Sequence, residues 1–133
     1  MMSTTRLVVV LALLMLTTWP AWAASGSWVA SAPSLRVAVP EREVGSQAMS
    51  ATSSLPAQSR ITSVRWRFDA PPGHPLRAWL CHPVRCIPLS SASGHSLALA
   101  DLPASMPLNF RFRLPRGTRP LEVKGLQVIV DYR

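Results

Sequence analysis

The groups in this chain able to do covalent or metal chemistry are few and lie close together. Cys81 and Cys86 are its only cysteines, set in the segment Leu80-Cys-His-Pro-Val-Arg-Cys-Ile87 with His82 between them. Their C-x4-C spacing differs from the C-x-x-C of a redox-active thiol pair. In an oxidising compartment the pair predicts a disulfide, which in the chain-entropy model contributes roughly 2 kcal/mol for so short a loop. The competing arrangement is a metal site of Cys81, Cys86 and His82, completed by His74 or His95. Zinc sites usually pair a C-x2-4-C with an H-x3-5-H spacing, and that pairing is missing, since no two histidines stand at H-x3-5-H. A structural disulfide is therefore the expectation, with no metal or other cofactor.

Acid–base and nucleophilic catalysis need titratable groups in matched pairs. The acids are Glu41, Glu43, Asp69, Asp101, Glu122 and Asp131, placed mostly at turns or strand ends, and no G-x-S-x-G elbow occurs. His74, His82 and His95 each adjoin Pro or Gly in segments expected to be solvated loops. The sequence reads as a non-enzyme.

Charge says more. Fourteen cations face six acids, a formal net charge of +8, and thirteen of the fourteen are Arg, with Lys124 the single lysine. Arginine is weakly hydrated and bidentate, which suits carboxylates and phosphates; an Arg-, Ala- and Pro-rich coding habit would produce the same bias. Arg65 and Arg67 share one face of a strand, and Arg111 and Arg113 share one face of another. If those strands lie in one sheet, the four guanidinium groups form a basic patch able to steer an acidic partner; otherwise they are solvated outer faces. Trp66 and Trp79 are expected in the core. Trp28 is either a core residue or an anchor for a partner.

The elements that must position these groups begin after a leader. Met1 to Arg6 carry one positive charge, Leu7 to Leu16 are continuously apolar, and Ala21-Trp22-Ala23 fits the small-x-small rule. The apolar run is shorter than the roughly 20 residues of a membrane-spanning helix. Residues 1–23 are thus expected to be a signal peptide, leaving 24–133 as a single periplasmic domain with one core. Losing Arg6 leaves thirteen cations against six acids, a net charge of +7. The anions available to an exported protein are membrane headgroups, compatible with a peripheral position at the inner membrane, together with wall polymers and acidic protein faces. Nucleic acid is not expected.

Along the mature chain, Ser27 to Ala30 and Leu35 to Val39 read as short strands, and Arg42 to Ser59 as a loop or ragged edge strand. In Ile61 to Phe68, Val64, Trp66 and Phe68 alternate with Arg65 and Arg67, the period of a half-buried strand. Asp69 to Gly73 is turn chemistry. Leu76 to Cys81 and Cys86 to Leu89 make a hairpin around His82-Pro-Val-Arg85, with Pro88 marking an edge or an end. Ser96 to Leu99 predicts a further strand, Ala100 to Pro107 a connector, and Leu108 to Leu114 a strand alternating Leu and Phe with Asn109, Arg111 and Arg113. After a turn at Pro115 to Thr118, Leu121 to Val123 and Leu126 to Tyr132 finish the chain, with a bulge at Gly125. Seven or eight short strands at this spacing predict an all-β fold, a small antiparallel sandwich or barrel.

Several of these segments, taken in order, resemble the FlhE family of flagellar proteins. They are Ser27-Trp28, Val64-Arg-Trp-Arg-Phe68, Leu80-Cys-x4-Cys-Ile87 with Leu89, Pro107-Leu-Asn-Phe110 and Val128-Ile-Val-Asp-Tyr-Arg133. The resemblance implies a β-sandwich-like periplasmic protein associated with the flagellar export apparatus. Its partners would be export-gate, rod or hook components, its role to regulate assembly or to limit proton leakage, and a chaperone-like role is also implied. It brings no catalytic residues, and Cys81 and Cys86 match its disulfide. Residues 42–59 and the 82–85 loop show no motif of the family. A general periplasmic chaperone or adaptor with a sandwich fold is the alternative.

Overall fold

The structure, a computed structural model, describes residues 25–133; the expected signal peptide lies outside the described residues. These residues form nine strands and no helix: β1 (Gly26–Ala32), β2 (Leu35–Val37), β3 (Val44–Gly45), β4 (Ile61–Asp69), β5 (Arg77–Cys81), β6 (Cys86–Leu89), β7 (Ser93–Ser96), β8 (Asn109–Arg113) and β9 (Leu121–Tyr132). All pairings between them are antiparallel. One sheet runs β1-β9-β4-β7, with β2 continuing alongside β9, and the other runs β3-β8-β5-β6. The expected all-β sandwich is what forms.

Period-2 alternation explains why the sheets stack. Val64, Trp66 and Phe68 of β4 and Val128 and Val130 of β9 are buried from one side, and Ala78 and Leu80 of β5 with Phe110 and Phe112 of β8 from the other. Phe68 is the junction between the layers. Its ring meets Phe110 and Phe112 edge-on, with centroids 5.9 and 5.1 Å away, the geometry that ring quadrupoles favour.

One segment differs from the sequence expectation. The strand expected over Ser96–Leu99 lies at Ser93–Ser96, and Leu97 to Leu102 turn back on themselves through Ala100 N–H to Leu97 and Leu102 N–H to Leu99. Gly94 permits this placement: it pairs with Trp66, and a Cβ there would stand 2.5 Å from the indole Cζ2. Close approach outweighs the low strand propensity of glycine. As expected, residues 42–59 are mainly loop, joined to β8 through β3 and through Ser46, whose N–H donates to the Phe110 carbonyl at 2.8 Å, with a Met49–Leu108 bridge beside it. Leu121–Val123 and Leu126–Tyr132, expected as two strands around a bulge, form the single strand β9 with the bulge at the expected place. Gly125 adopts φ +61° there, where the β4–β9 register shifts between Arg67 and Asp69.

Candidate functional site

The hairpin loop that sequence reading placed in solvent is anchored from below. Cys81 and Cys86 are directly opposite in the β5–β6 register and are disulfide-bonded, so neither sulfur is available as a thiolate ligand. His82, expected to be solvated, is buried. Its Nδ1 accepts from the Val84 N–H at 3.1 Å, and its Nε2 lies 3.0 Å from the Pro103 carbonyl. Since a carbonyl only accepts, the ring is the neutral Nε2–H tautomer. The imidazole thus joins the hairpin loop to the connector after β7, a tertiary contact 21 residues away in sequence that no local pattern announces. His82→Ala leaves the Val84 N–H and the Pro103 carbonyl without these partners, a loss of about 1–3 kcal/mol. Urea unfolding of the variant checks this figure, and a loss near zero would show that the contact is dispensable.

Trp28 sits in the core, not on a free surface. It is 7 % exposed, and its indole N–H donates to the Ala104 carbonyl at 3.0 Å. Trp66 is buried as expected, with its N–H on the Ser91 carbonyl. Trp79 corrects the expectation of a core residue. It shares parity with Arg77 and lies on the outer face of its sheet, where the Arg113 guanidinium stands 5.8 Å from the ring centroid, within cation–π range. The inward parity of β5 belongs to Ala78 and Leu80, an alternation already visible in the sequence.

The four arginines do not gather into one patch. Arg65 and Arg67 belong to β4, whereas Arg111 and Arg113 belong to β8 in the other sheet. Each pair faces outward from its own side of the sandwich, because the inward faces are taken by Val64, Trp66 and Phe68 and by Phe110 and Phe112. On the first face Arg65 pairs with Asp131 at 3.6 Å and Arg67 stands opposite Gln127. On the second, Arg111 pairs with Glu43 at 3.4 Å. Arg113 faces Arg77 directly across β5–β8. Arg116, from the following turn, reaches Glu41 at 3.5 Å. Sequence reading missed Arg77, Arg116 and Glu41. The shared parity of Arg77 and Trp79 was the available signal, and the cross-strand register was not.

Sheet order, disulfide and an outward arginine and tryptophan face define a stapled antiparallel β-sandwich. The model of the family described as "Flagellar protein FlhE" matches residues 35–133, and the chain belongs to that family. It is 34% identical over 116 residues to the flagellar protein FlhE of Escherichia coli K12, covering 84% of this chain and 88% of that one. With the FlhE of Yersinia enterocolitica it shares 36% identity over 118 residues, 83% of each chain. A solved structure described as "Crystal Structure of FLHE" superposes with a TM-score of 0.75 at 33% identity, covering 84% of this chain and 99% of that one.

Proposed function

We propose that this protein is an exported flagellar accessory protein that acts in the periplasm after removal of residues 1–23. There it binds export-gate, rod or hook components, and it regulates flagellum assembly or limits proton leakage through the export apparatus. The observation that carries this reading is membership of the FlhE family across residues 35–133. The geometry supports it in kind: outer faces bearing arginines, Arg65 and Arg67 on one sheet and Arg77, Arg111 and Arg113 on the other, suit an acidic protein surface. A deletion strain tests the proposal. Loss of the protein is expected to impair swarming or to acidify the cytoplasm while flagella form. The full chain should restore the phenotype, and a chain without residues 1–23 should not. A deletion strain with normal flagella, normal swarming and an unchanged cytoplasmic pH would overturn the reading.

One observation favours a second reading as a general periplasmic chaperone. β1, seven residues without a charge, ends its sheet with one side unpaired among the described residues, and such an edge can accept an extended client strand. Capture of many unrelated unfolded clients, in place of flagellar ones, would favour it.

A further inference from the structure

We propose that the outer face of the β3-β8-β5-β6 sheet carries a carboxylate-binding cleft, built by Arg77, Arg113 and Arg116, that takes an acidic, partly apolar segment of a partner protein. The proposal stands apart from the flagellar reading, since it names a surface and a chemistry that hold or fail in a purified system.

The argument starts from a local conflict. Arg77 and Arg113 are directly opposite in the antiparallel register, an arrangement that like charges make unfavourable. Most other strand cations meet acids: Glu43 beside Arg111, Asp131 beside Arg65, Glu122 opposite Arg36 and Asp69 opposite Lys124, while Arg67 stands opposite the neutral Gln127. Among the described residues, no carboxylate oxygen lies within 4.0 Å of Arg77 or Arg113. Arg113 is nevertheless held in place over the Trp79 ring, which lowers the entropy lost when its fork engages a ligand.

The surroundings of the pair select the ligand. Arg77, Arg113 and Arg116 line a cleft of about 460 Å³ with Leu114 and Glu41. Glu41 shows what the rim accommodates. Its backbone is held at φ +63° with its N–H on the Leu114 carbonyl at 2.7 Å, and its carboxylate pairs with Arg116. A non-glycine residue in that backbone region persists where surrounding contacts enforce it. One carboxylate therefore already occupies the Arg116 side, and the Arg77–Arg113 side remains for another. Arg77 also borders a second cleft of about 350 Å³, lined by Leu76, Trp79, Pro88 and Leu89. A free phosphate or a lipid headgroup would leave that apolar neighbour empty. A peptide bearing carboxylates next to an aliphatic side chain fills both, with bidentate carboxylate contacts on the guanidinium forks.

The test is titration of the purified protein with a short acetylated peptide alternating glutamate and leucine, in parallel with inorganic phosphate and with phosphatidylglycerol vesicles. The peptide is expected to bind saturably and more weakly as salt rises. The double variant Arg77→Gln, Arg113→Gln should lose affinity by about ten-fold or more, as removal of charge-assisted hydrogen bonds requires. The control variant Arg65→Gln, Arg67→Gln should bind like the parent. The first variant also relieves the cross-strand repulsion, so an unchanged or raised Tm separates lost binding from lost folding. Undiminished peptide binding by the first variant would overturn the proposal, as would binding of phosphate or vesicles in place of the peptide.

Discussion

Replacing Phe112 by alanine is expected to destabilise the fold by about 3–5 kcal/mol, the range for emptying a buried aromatic site. The size follows from position. Phe112 is fully buried on β8, stacks on Phe110 at 5.9 Å and receives the edge of Phe68 from the opposing sheet. Its cross-strand neighbours are Ala78 on β5 and Val44 on β3, both too short to fill the space left behind. Domains are commonly stable by about 5–15 kcal/mol, so this one substitution removes a large share. Chemical denaturation measures it directly. Phe112→Leu, which keeps an aliphatic filling and forfeits the ring contact, should lose much less. A loss below about 1 kcal/mol for Phe112→Ala would mean that the sheets do not meet through this ring cluster.

Trp28→Ala is expected to cost a similar amount, about 3–5 kcal/mol, with the Ala104 carbonyl left unpaired in addition. Ala104 belongs to the connector between β7 and β8. Its N–H donates to the Ser59 carbonyl, the neighbouring Leu102 carbonyl accepts from Ile61, and Pro103 is held by His82. Trp28 fastens the same connector from β1, so its removal loosens the joint between the first strand and the segment closing that end of the sandwich. Trp28→Phe, which keeps most of the buried area, isolates the hydrogen bond and should lose about 1 kcal/mol. The two roles considered for this tryptophan separate cleanly in such a series. A core residue lowers stability in proportion to the area lost. A partner anchor would leave the melting curve untouched and abolish binding alone, and that pattern would sink the assignment.

How far the sequence reveals the fold depends on which forces are local. Alternation within Ile61–Phe68 and Leu108–Leu114 shows which side chains turn inward, because the pleat alone decides it. The hairpin around His82 to Arg85 and the edge position of β6, marked by Pro88, follow from equally local rules. Alternation does not say which strands become neighbours, so the four arginines could not be divided between sheets in advance. Trp79 was drawn to the core by its size, although Ala78 and Leu80 occupy the inward parity. His82 adjoins a proline and has the local character of a loop residue; its burial is decided by Pro103. The Arg77–Arg113 juxtaposition is likewise a product of register, invisible until β5 and β8 are set side by side.

The strand written last, β9, pairs with β1, β2 and β4. A chain emerging N-terminus first therefore carries β1 and β2 without their partner until Leu121–Tyr132 is free. Contacts of such long separation form slowly, so this sheet closes after the β5–β6 hairpin, whose two strands are joined by a four-residue loop. Until then the inward side chains of β1 and β2, Trp28 and Val37 among them, lack the strand that covers them.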